Sequence, residues 1–191
     1  MKEITLQQKN AITIVRVLSM LMIITCHILQ GYNQSSAFLF NVGVQIFFLL
    51  SGFLYGKIEI TSIASFVKKR FVKVYIPFIL VVLCCVAIYI IFNITALSFR
   101  NIIPYVFNIQ GLVGDEIEGL NHLWFLSVLM ICYFITPIAQ KILKYTSIWF
   151  AVLWIIVSAV EFGFVQKMQS VAAWVLLYLF GMLWVRMKIS G

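Results

Sequence analysis

The stretch Ala11–Gln30, AITIVRVLSMLMIITCHILQ, decides the fold class of this chain. It is long enough to cross the hydrocarbon core of a bilayer as a single helix, which needs about 20 apolar residues. The stretch nevertheless contains an arginine, Arg16, and a histidine, His27. Ionisable side chains are costly inside a membrane, and they usually mark a function. The sequence therefore predicts a transmembrane helix that carries a functional site.

The spacing of Arg16 and His27 predicts that both lie on one face of this helix. Their eleven-residue separation, at about 100° per residue, makes roughly three full turns and about 16 Å along the axis. One face then carries a fixed positive charge near one membrane surface and a titratable imidazole towards the other. This arrangement suits chemistry that starts on one side of a bilayer and ends on the other. In the alternative interpretation, Arg16 snorkels and His27 bonds a neighbouring helix, so that both are structural.

Composition places the whole chain in a membrane. Of its 191 residues, 63% are hydrophobic and only 10% are charged, whereas soluble domains are about half apolar and about a quarter charged. The net charge of +8 is distributed between the apolar segments, which argues against nucleic-acid binding. The four cysteines all lie inside apolar segments, without metal-ligand spacing or a disulfide framework. We expect no metal and no tightly bound cofactor.

The apolar segments predict an all-α, polytopic helix bundle with about six membrane spans. The predicted spans lie near residues 11–30, 38–56, 75–93, 123–140, 147–164 and 170–187. With a cytoplasmic N-terminus, all of the 14 basic residues except Arg100 and Lys167 fall on the inner side. The positive-inside rule therefore predicts that both chain ends are cytoplasmic. The longest outer loop is expected at roughly 94–122.

A basic stretch, SFVKKRFVKVYIPF (Ser65–Phe78), separates the second and third predicted spans. Arg70 and Lys73 are three residues apart and would face the same way on a helix. Arginine grips phosphate through two parallel bonds and lysine acts as a point charge, so the pair is a candidate site for a phosphate-rich cytoplasmic donor. An ordinary positive-inside loop, or attraction to anionic lipids, explains the same charges.

Three further residues are candidates for substrate binding. Ser51 is a polar group in the otherwise apolar second span, where it needs a partner. His122 and Trp124 lie at the predicted outer end of the fourth span. Interfacial anchoring alone would also explain this histidine and this tryptophan.

Four stretches resemble, in this order, the N-terminal part of the acyltransferase-3 family of integral membrane acyltransferases, and most closely its branch that O-acetylates bacterial surface polysaccharides. They are VRVLSMLMIITCH, VGVQIFFLLSGFLYG, FVKKRFVKVYIPF and NHLWFLSVLMICYFITPI. The resemblance implies that Arg16 and His27 are catalytic and that Arg70 and Lys73 bind the acyl-CoA donor. Lys73 replaces a family arginine, which keeps the charge but loses bidentate phosphate binding. Thr13 stands where many members carry an aspartate.

The resemblance implies that residues 1–191 form a partial acyltransferase-3 membrane domain. The expected reaction moves an acetyl or other acyl group from cytoplasmic acyl-CoA, a co-substrate, to a hydroxyl of an extracytoplasmic polysaccharide or lipid-linked glycan. The expected location is the plasma membrane of a bacterium. The resemblance implies about ten spans for full members, so we expect the chain to be a fragment, a truncated gene product or a half that needs a partner chain. The alternatives are a transporter or flippase of a lipid-linked sugar, and an inactive truncated remnant.

Overall fold

The computed structural model describes residues 6–94, 97–113, 117–143, 152 and 171–190, and within these ranges the regular structure is helical. No strand occurs among the described residues, which confirms the predicted all-α fold. The helices, numbered along the chain, are α1 (Leu6–Gly31), α2 (Ala37–Phe40), α3 (Val42–Lys57), α4 (Ile63–Phe92), α5 (Phe99–Val106), α6 (Gln110–Val113), α7 (Trp124–Leu143) and α8 (Val171–Ser190), with a 3-10 turn (Asn121–Leu123) before α7.

Length and composition make four helical segments of the described chain candidates for crossing a membrane: Asn10–Gly31, Ala37–Lys57, Ile63–Phe92 and Asn121–Leu143. Each of them covers one of the first four predicted spans. The predicted span at 170–187 coincides with α8, and the predicted span at 147–164 lies, except for Val152, outside the described residues. The cytoplasmic location of the chain ends stays a prediction.

Two boundaries differ from those predicted. The third span was expected to begin at residue 75, but α4 begins at Ile63. Ser62 provides the N-cap, because its hydroxyl accepts a hydrogen bond of 3.4 Å from the backbone N–H of Ser65. The basic stretch is therefore helical and not a loop. The second predicted span is divided at Asn41, between α2 and α3.

The chain divides into two compact units: a first unit of residues 1–59 and 138–191, and a second unit of residues 60–137. In the first unit, α1 and α3 pack against each other in antiparallel directions. The Arg16 guanidinium lies over the Phe47 ring, whereas Ser19, further along α1, lies against Gly43 near the start of α3. A Cβ added at Gly43 would lie 2.7 Å from the Ser19 carbonyl oxygen, so the glycine permits this close approach.

The opposite side of α3 packs against α8 in parallel. Phe48 stacks on Trp174 with ring centroids 5.8 Å apart, and one turn later Gly52 meets the Tyr178 backbone. A further turn on, Gly56 meets Met182 and Val185. Two parallel spanning helices require an odd number of crossings between them, and the six-span prediction places three there.

The second unit is formed by α4 to α6 and the first part of α7. Its core combines residues from α4, from α5 and from the chain leading into α7, namely Phe78, Val82, Tyr105, Ile117, Leu120 and Leu123. Two tyrosines of α4 add hydrogen bonds to the segment after it: the Tyr75 hydroxyl donates to the Val106 carbonyl (2.6 Å), and the Tyr89 hydroxyl donates to the Glu118 carbonyl (2.8 Å).

Candidate functional site

Arg16 is held within a candidate span by the packing of α1 on α3. Its guanidinium carbon lies 5.6 Å from the centroid of the Phe47 ring, and the side chain is half-buried. A cation over an aromatic face is stabilised by about 0.5–2 kcal/mol, depending on its exposure to water. No described acidic residue forms an ion pair with Arg16, and its described contact is the Phe47 ring.

His27 lies on the same face of α1 as Arg16. The helix is continuous from Leu6 to Gly31, so the geometry predicted from their spacing applies. His27 Nδ1 lies 3.0 Å from Gln30 Oε1, to which the tautomer protonated at Nδ1 can donate. A neutral imidazole that donates from Nδ1 carries its lone pair on Nε2, the form that a general base needs. The sequence did not lead us to predict Gln30 as a partner of His27, although its three-residue spacing places it on the same side of the helix.

Ser51 is a buried polar group in the first unit. It is 0% exposed, and its hydroxyl oxygen has no hydrogen-bond partner among the described residues. On the helical wheel of α3, Ser51 falls between Phe47, which faces α1, and Phe48, which faces α8. A buried hydroxyl without a partner is costly and requires an explanation, such as a bound group. Of the three candidate residues of the first unit, Arg16 lies at the α1–α3 contact.

Arg70 and Lys73 lie on the first half of α4, in the second unit. Both residues are helical, as the prediction required, so their three-residue spacing places them on the same face of α4. The Arg70 guanidinium lies 5.6 Å from the Phe66 ring, one turn earlier on the same helix, and Lys73 is exposed. The ring that Arg16 contacts belongs to another helix, whereas Phe66 belongs to the same helix as Arg70. An exposed lysine beside a half-buried arginine can attract a phosphate group.

His122 and Trp124 lie where the 3-10 turn leads into α7. His122 is exposed and Trp124 is half-buried. The backbone of Trp124 packs against Gly111 of α6, where a Cβ would lie 2.8 Å from the Trp124 carbonyl oxygen. The carbonyl of Leu123, between them, accepts a bond of 3.0 Å from Gln110 Nε2. The predicted residues thus fall into two sets, one in each unit: Arg16, His27 and Ser51, and then Arg70, Lys73, His122 and Trp124.

Comparison with known proteins identifies a family. The family model described as an acyltransferase domain, that of the acyltransferase-3 family, matches residues 9–189. The match covers nearly the whole chain, including every candidate residue. Neither the curated proteins nor the solved structures provide a match.

Proposed function

The chain belongs to the acyltransferase-3 family and is a membrane acyltransferase, and from this premise we propose that it transfers an acetyl group from cytoplasmic acetyl-CoA to a hydroxyl of an extracytoplasmic polysaccharide. The observation that carries the proposal is the continuous helix α1, which holds Arg16 and His27 on one face about 16 Å apart. The separation is about half the thickness of a hydrocarbon core. The two groups therefore suit a donor and an acceptor that approach from opposite sides.

The packing of the first unit supports a cytoplasmic location for the Arg16 end of α1. Because α1 is antiparallel to α3, that end lies beside the C-terminal end of α3, which carries Lys57. The last turns of α7 are at the same end, since Gln140 Nε2 donates to the carbonyls of Tyr55 (2.6 Å) and Ile58 (2.7 Å). Lysines thus collect at one end of the unit, and the positive-inside rule assigns such an end to the cytoplasm.

In the proposed reaction, His27 acts on the acceptor hydroxyl. Its Nε2 takes the hydroxyl proton, the alkoxide oxygen attacks the thioester carbonyl, and the C–S bond breaks. The leaving CoA thiolate then takes up the proton. In the alternative route, His27 Nε2 attacks the thioester carbonyl, the C–S bond breaks and CoA thiolate leaves. The hydroxyl oxygen then attacks the acetyl carbonyl, the N–C bond breaks and the hydroxyl proton passes to water, which would give ping-pong kinetics. The Gln30 amide oxygen would favour the tautomer that is protonated at Nδ1.

The positively charged residues are proposed to bind the donor. In the first unit, Arg16 would hold a phosphate group of the acyl-CoA, and in the second unit Arg70 and Lys73 are proposed, separately, to attract its phosphates. The buried Ser51 hydroxyl would bond the same donor, which accounts for its lack of a described partner. The aromatic and polar side chains of Trp124 and His122 would bind the acceptor glycan at the outer surface. In this proposal acetyl-CoA is the co-substrate, and the protein resides in a bacterial plasma membrane.

The test is the transfer of labelled acetyl from acetyl-CoA to surface polysaccharide in membranes that contain the chain. The wild type is compared with His27→Ala and with the neighbouring Ile28→Ala, whose side chain is exposed on α1, at equal abundance. We expect incorporation by the wild type and by Ile28→Ala, and loss in His27→Ala. Equal incorporation in all three would exclude His27 as the catalyst. An absence of incorporation in all three would contradict the acetyl-transfer proposal for this chain and favour transport or an inactive remnant.

A further inference from the structure

The turn between α1 and α2 has a backbone that hydrogen bonds fix at both of its ends. Asn33 has a φ of 54°, in the left-handed region that asparagine tolerates better than most residues. Its N–H donates to the Gln30 carbonyl (3.0 Å). The Gln34 N–H donates to the Leu29 carbonyl (2.9 Å), which completes a Schellman motif at the end of α1. The buried Ala37, whose N–H donates to the Gln34 carbonyl (3.1 Å), fixes the start of α2.

Two aromatic side chains are exposed at the two ends of this turn. Tyr32 is 74% exposed and Phe38 is 72% exposed. The face of an aromatic ring is negative and attracts the polarised C–H groups of a sugar ring. An aromatic side chain has only two torsions to fix, so it forms such contacts at a low cost in conformational entropy. On a turn of fixed backbone, the two rings are ready-made stacking surfaces.

Four polar side chains lie between the two rings in the sequence. They are Asn33, Gln34, Ser35 and Ser36, and all four are exposed. None of the four side chains has a hydrogen-bond partner among the described residues. Amides and hydroxyls both donate and accept hydrogen bonds, as the hydroxyls of a sugar do. The turn thus offers the two kinds of contact by which a carbohydrate is bound.

The absence of charge around the turn restricts the kind of sugar that it suits. Residues 28–56 contain no aspartate, glutamate, lysine, arginine or histidine. Carboxylate and phosphate groups are usually recognised by arginine or lysine, which form charge-assisted hydrogen bonds with them. The turn therefore suits uncharged sugar rings better than acidic ones.

The turn also lies close to the proposed catalytic base along α1. His27 is four residues before Gly31, the last residue of α1, which is about 6 Å along the helix axis. Sugar rings bound at the turn would then lie about one helical turn beyond the imidazole. A neighbouring ring of the same glycan chain could present its hydroxyl to His27.

We propose that residues 32–38 form a binding site for uncharged sugar rings of the acceptor glycan. Tyr32 and Phe38 stack on the C–H faces of the rings, and the four polar side chains between them bond the sugar hydroxyls. The inference rests on the proposed function, from which it takes the outer location of the turn and the kind of acceptor. It adds acceptor contacts in the unit that carries His27.

Saturation-transfer difference NMR on the purified chain in lipid nanodiscs tests this site. The probes are maltohexaose, which is uncharged, and hexagalacturonate, an anionic sugar of equal length. We expect saturation to reach the ring protons of maltohexaose in the wild type and in Tyr32→Phe, which keeps the ring, and to be weaker for hexagalacturonate. In Tyr32→Leu and Phe38→Leu, which keep apolar surface without a ring, the affinity for maltohexaose should fall about two- to tenfold.

The matched control is Phe92→Leu. Phe92 is 70% exposed, and it too ends a helix that is followed by an asparagine of positive φ, Asn93 (48°). Because no comparable run of polar side chains adjoins this ring, the variant should bind maltohexaose as the wild type does. A loss in Phe92→Leu equal to that in Tyr32→Leu would contradict a site at the α1–α2 turn.

The remaining outcomes separate the site from the proposed reaction. Equal affinity in Tyr32→Leu and Tyr32→Phe would overturn the stacking and leave the ring as an anchor in the membrane interface. An absence of saturation transfer in the wild type would overturn the site, even if labelled acetyl is incorporated. Since the measurement needs no acetyl transfer, ring-dependent sugar binding without incorporation would support the site and contradict the proposed reaction.

Discussion

Within each of the two units, the helices are held by a different kind of contact. In the first unit, α3 meets its neighbours at glycines, where one backbone touches another: Gly52 meets Tyr178 and Gly43 meets Ser19. In the second unit, one glycine contact, of Gly111 with the Trp124 backbone, stands beside connections made by single side-chain atoms, such as the hydroxyl of Tyr75. Two touching backbones cannot adjust by a change of rotamer, whereas a side chain can. We therefore expect the first unit to be the less tolerant of substitution.

The difference bears on the proposed site. Arg16 and Ser51 depend on the position of α3, which glycine contacts fix on both of its sides. Reacting groups must be held to within about 0.5 Å of their productive geometry. One contact of Arg70, in contrast, is with Phe66 of its own helix, and this contact does not depend on the position of a neighbouring helix. A fixed catalytic part and a more adaptable binding part would follow from these two ways of packing.

The largest effect is expected for Gly52→Ala. Its added Cβ would overlap the Tyr178 backbone carbonyl, so α3 and α8 must separate. Overpacking of this kind costs about 3 kcal/mol, the upper end of the usual range. The measurement is the thermal unfolding midpoint in detergent, with Gly31→Ala as the control, because no atom lies within 4 Å of a Cβ at Gly31. Equal midpoints for the two variants would contradict the backbone contact.

A smaller loss of stability, about 2 kcal/mol, is expected for Gly43→Ala. A Cβ there would lie 2.7 Å from the Ser19 carbonyl oxygen and 2.8 Å from Met22 Cβ, so α1 must shift away from α3. The shift would move Arg16 off the Phe47 ring. We therefore expect acetyl transfer at equal abundance to fall further than for Lys73→Ala, whose side chain is exposed. Unchanged transfer in Gly43→Ala would show that the α1–α3 contact does not position the site.

The sequence predicted the spans because long apolar stretches are nearly sufficient to specify membrane helices. It did not predict the start of α4 at Ile63, since the lysines and arginine that mark a cytoplasmic loop are also good helix formers. Nor did it predict the division at Asn41, because turn formation there depends on how α2 packs against α1. The hydrogen bonds from α4 to Val106 of α5 and to Glu118 involve residues about thirty positions apart, beyond the reach of local patterns.

For the candidate site, the sequence predicted the features that depend on the geometry of a single helix. The shared face of Arg16 and His27 follows from helical periodicity, and Gln30 was within reach of the same argument. The contact of Arg16 with Phe47 could not be predicted in this way, since it depends on the register between α1 and α3 that the Gly43 contact sets. The spatial relation of two helices is a property of packing that a single sequence does not display.

Gln110→Leu tests the side-chain contacts of the second unit. The substitution keeps an apolar group of similar size but leaves the buried Leu123 carbonyl without its 3.0 Å bond. We expect a loss of about 1 kcal/mol, as for a typical buried hydrogen bond. The unfolding midpoint is compared with that of Gln34→Leu, at an exposed glutamine in the turn before α2. A loss as large as that of Gly52→Ala would contradict the greater tolerance expected of the second unit.

The smallest effect is expected for Tyr75→Phe, which removes only the hydroxyl that bonds the Val106 carbonyl (2.6 Å). The ring keeps its stacking on Phe71, with centroids 4.7 Å apart, so apolar packing is unchanged. Polar contacts between membrane helices average about 0.6 kcal/mol, and we expect a loss of that size. The unfolding midpoint should fall slightly below that of Tyr32→Phe, at an exposed tyrosine. If the midpoint falls as far as in Gly43→Ala, side-chain bonds hold the second unit as rigidly as backbone contacts hold the first.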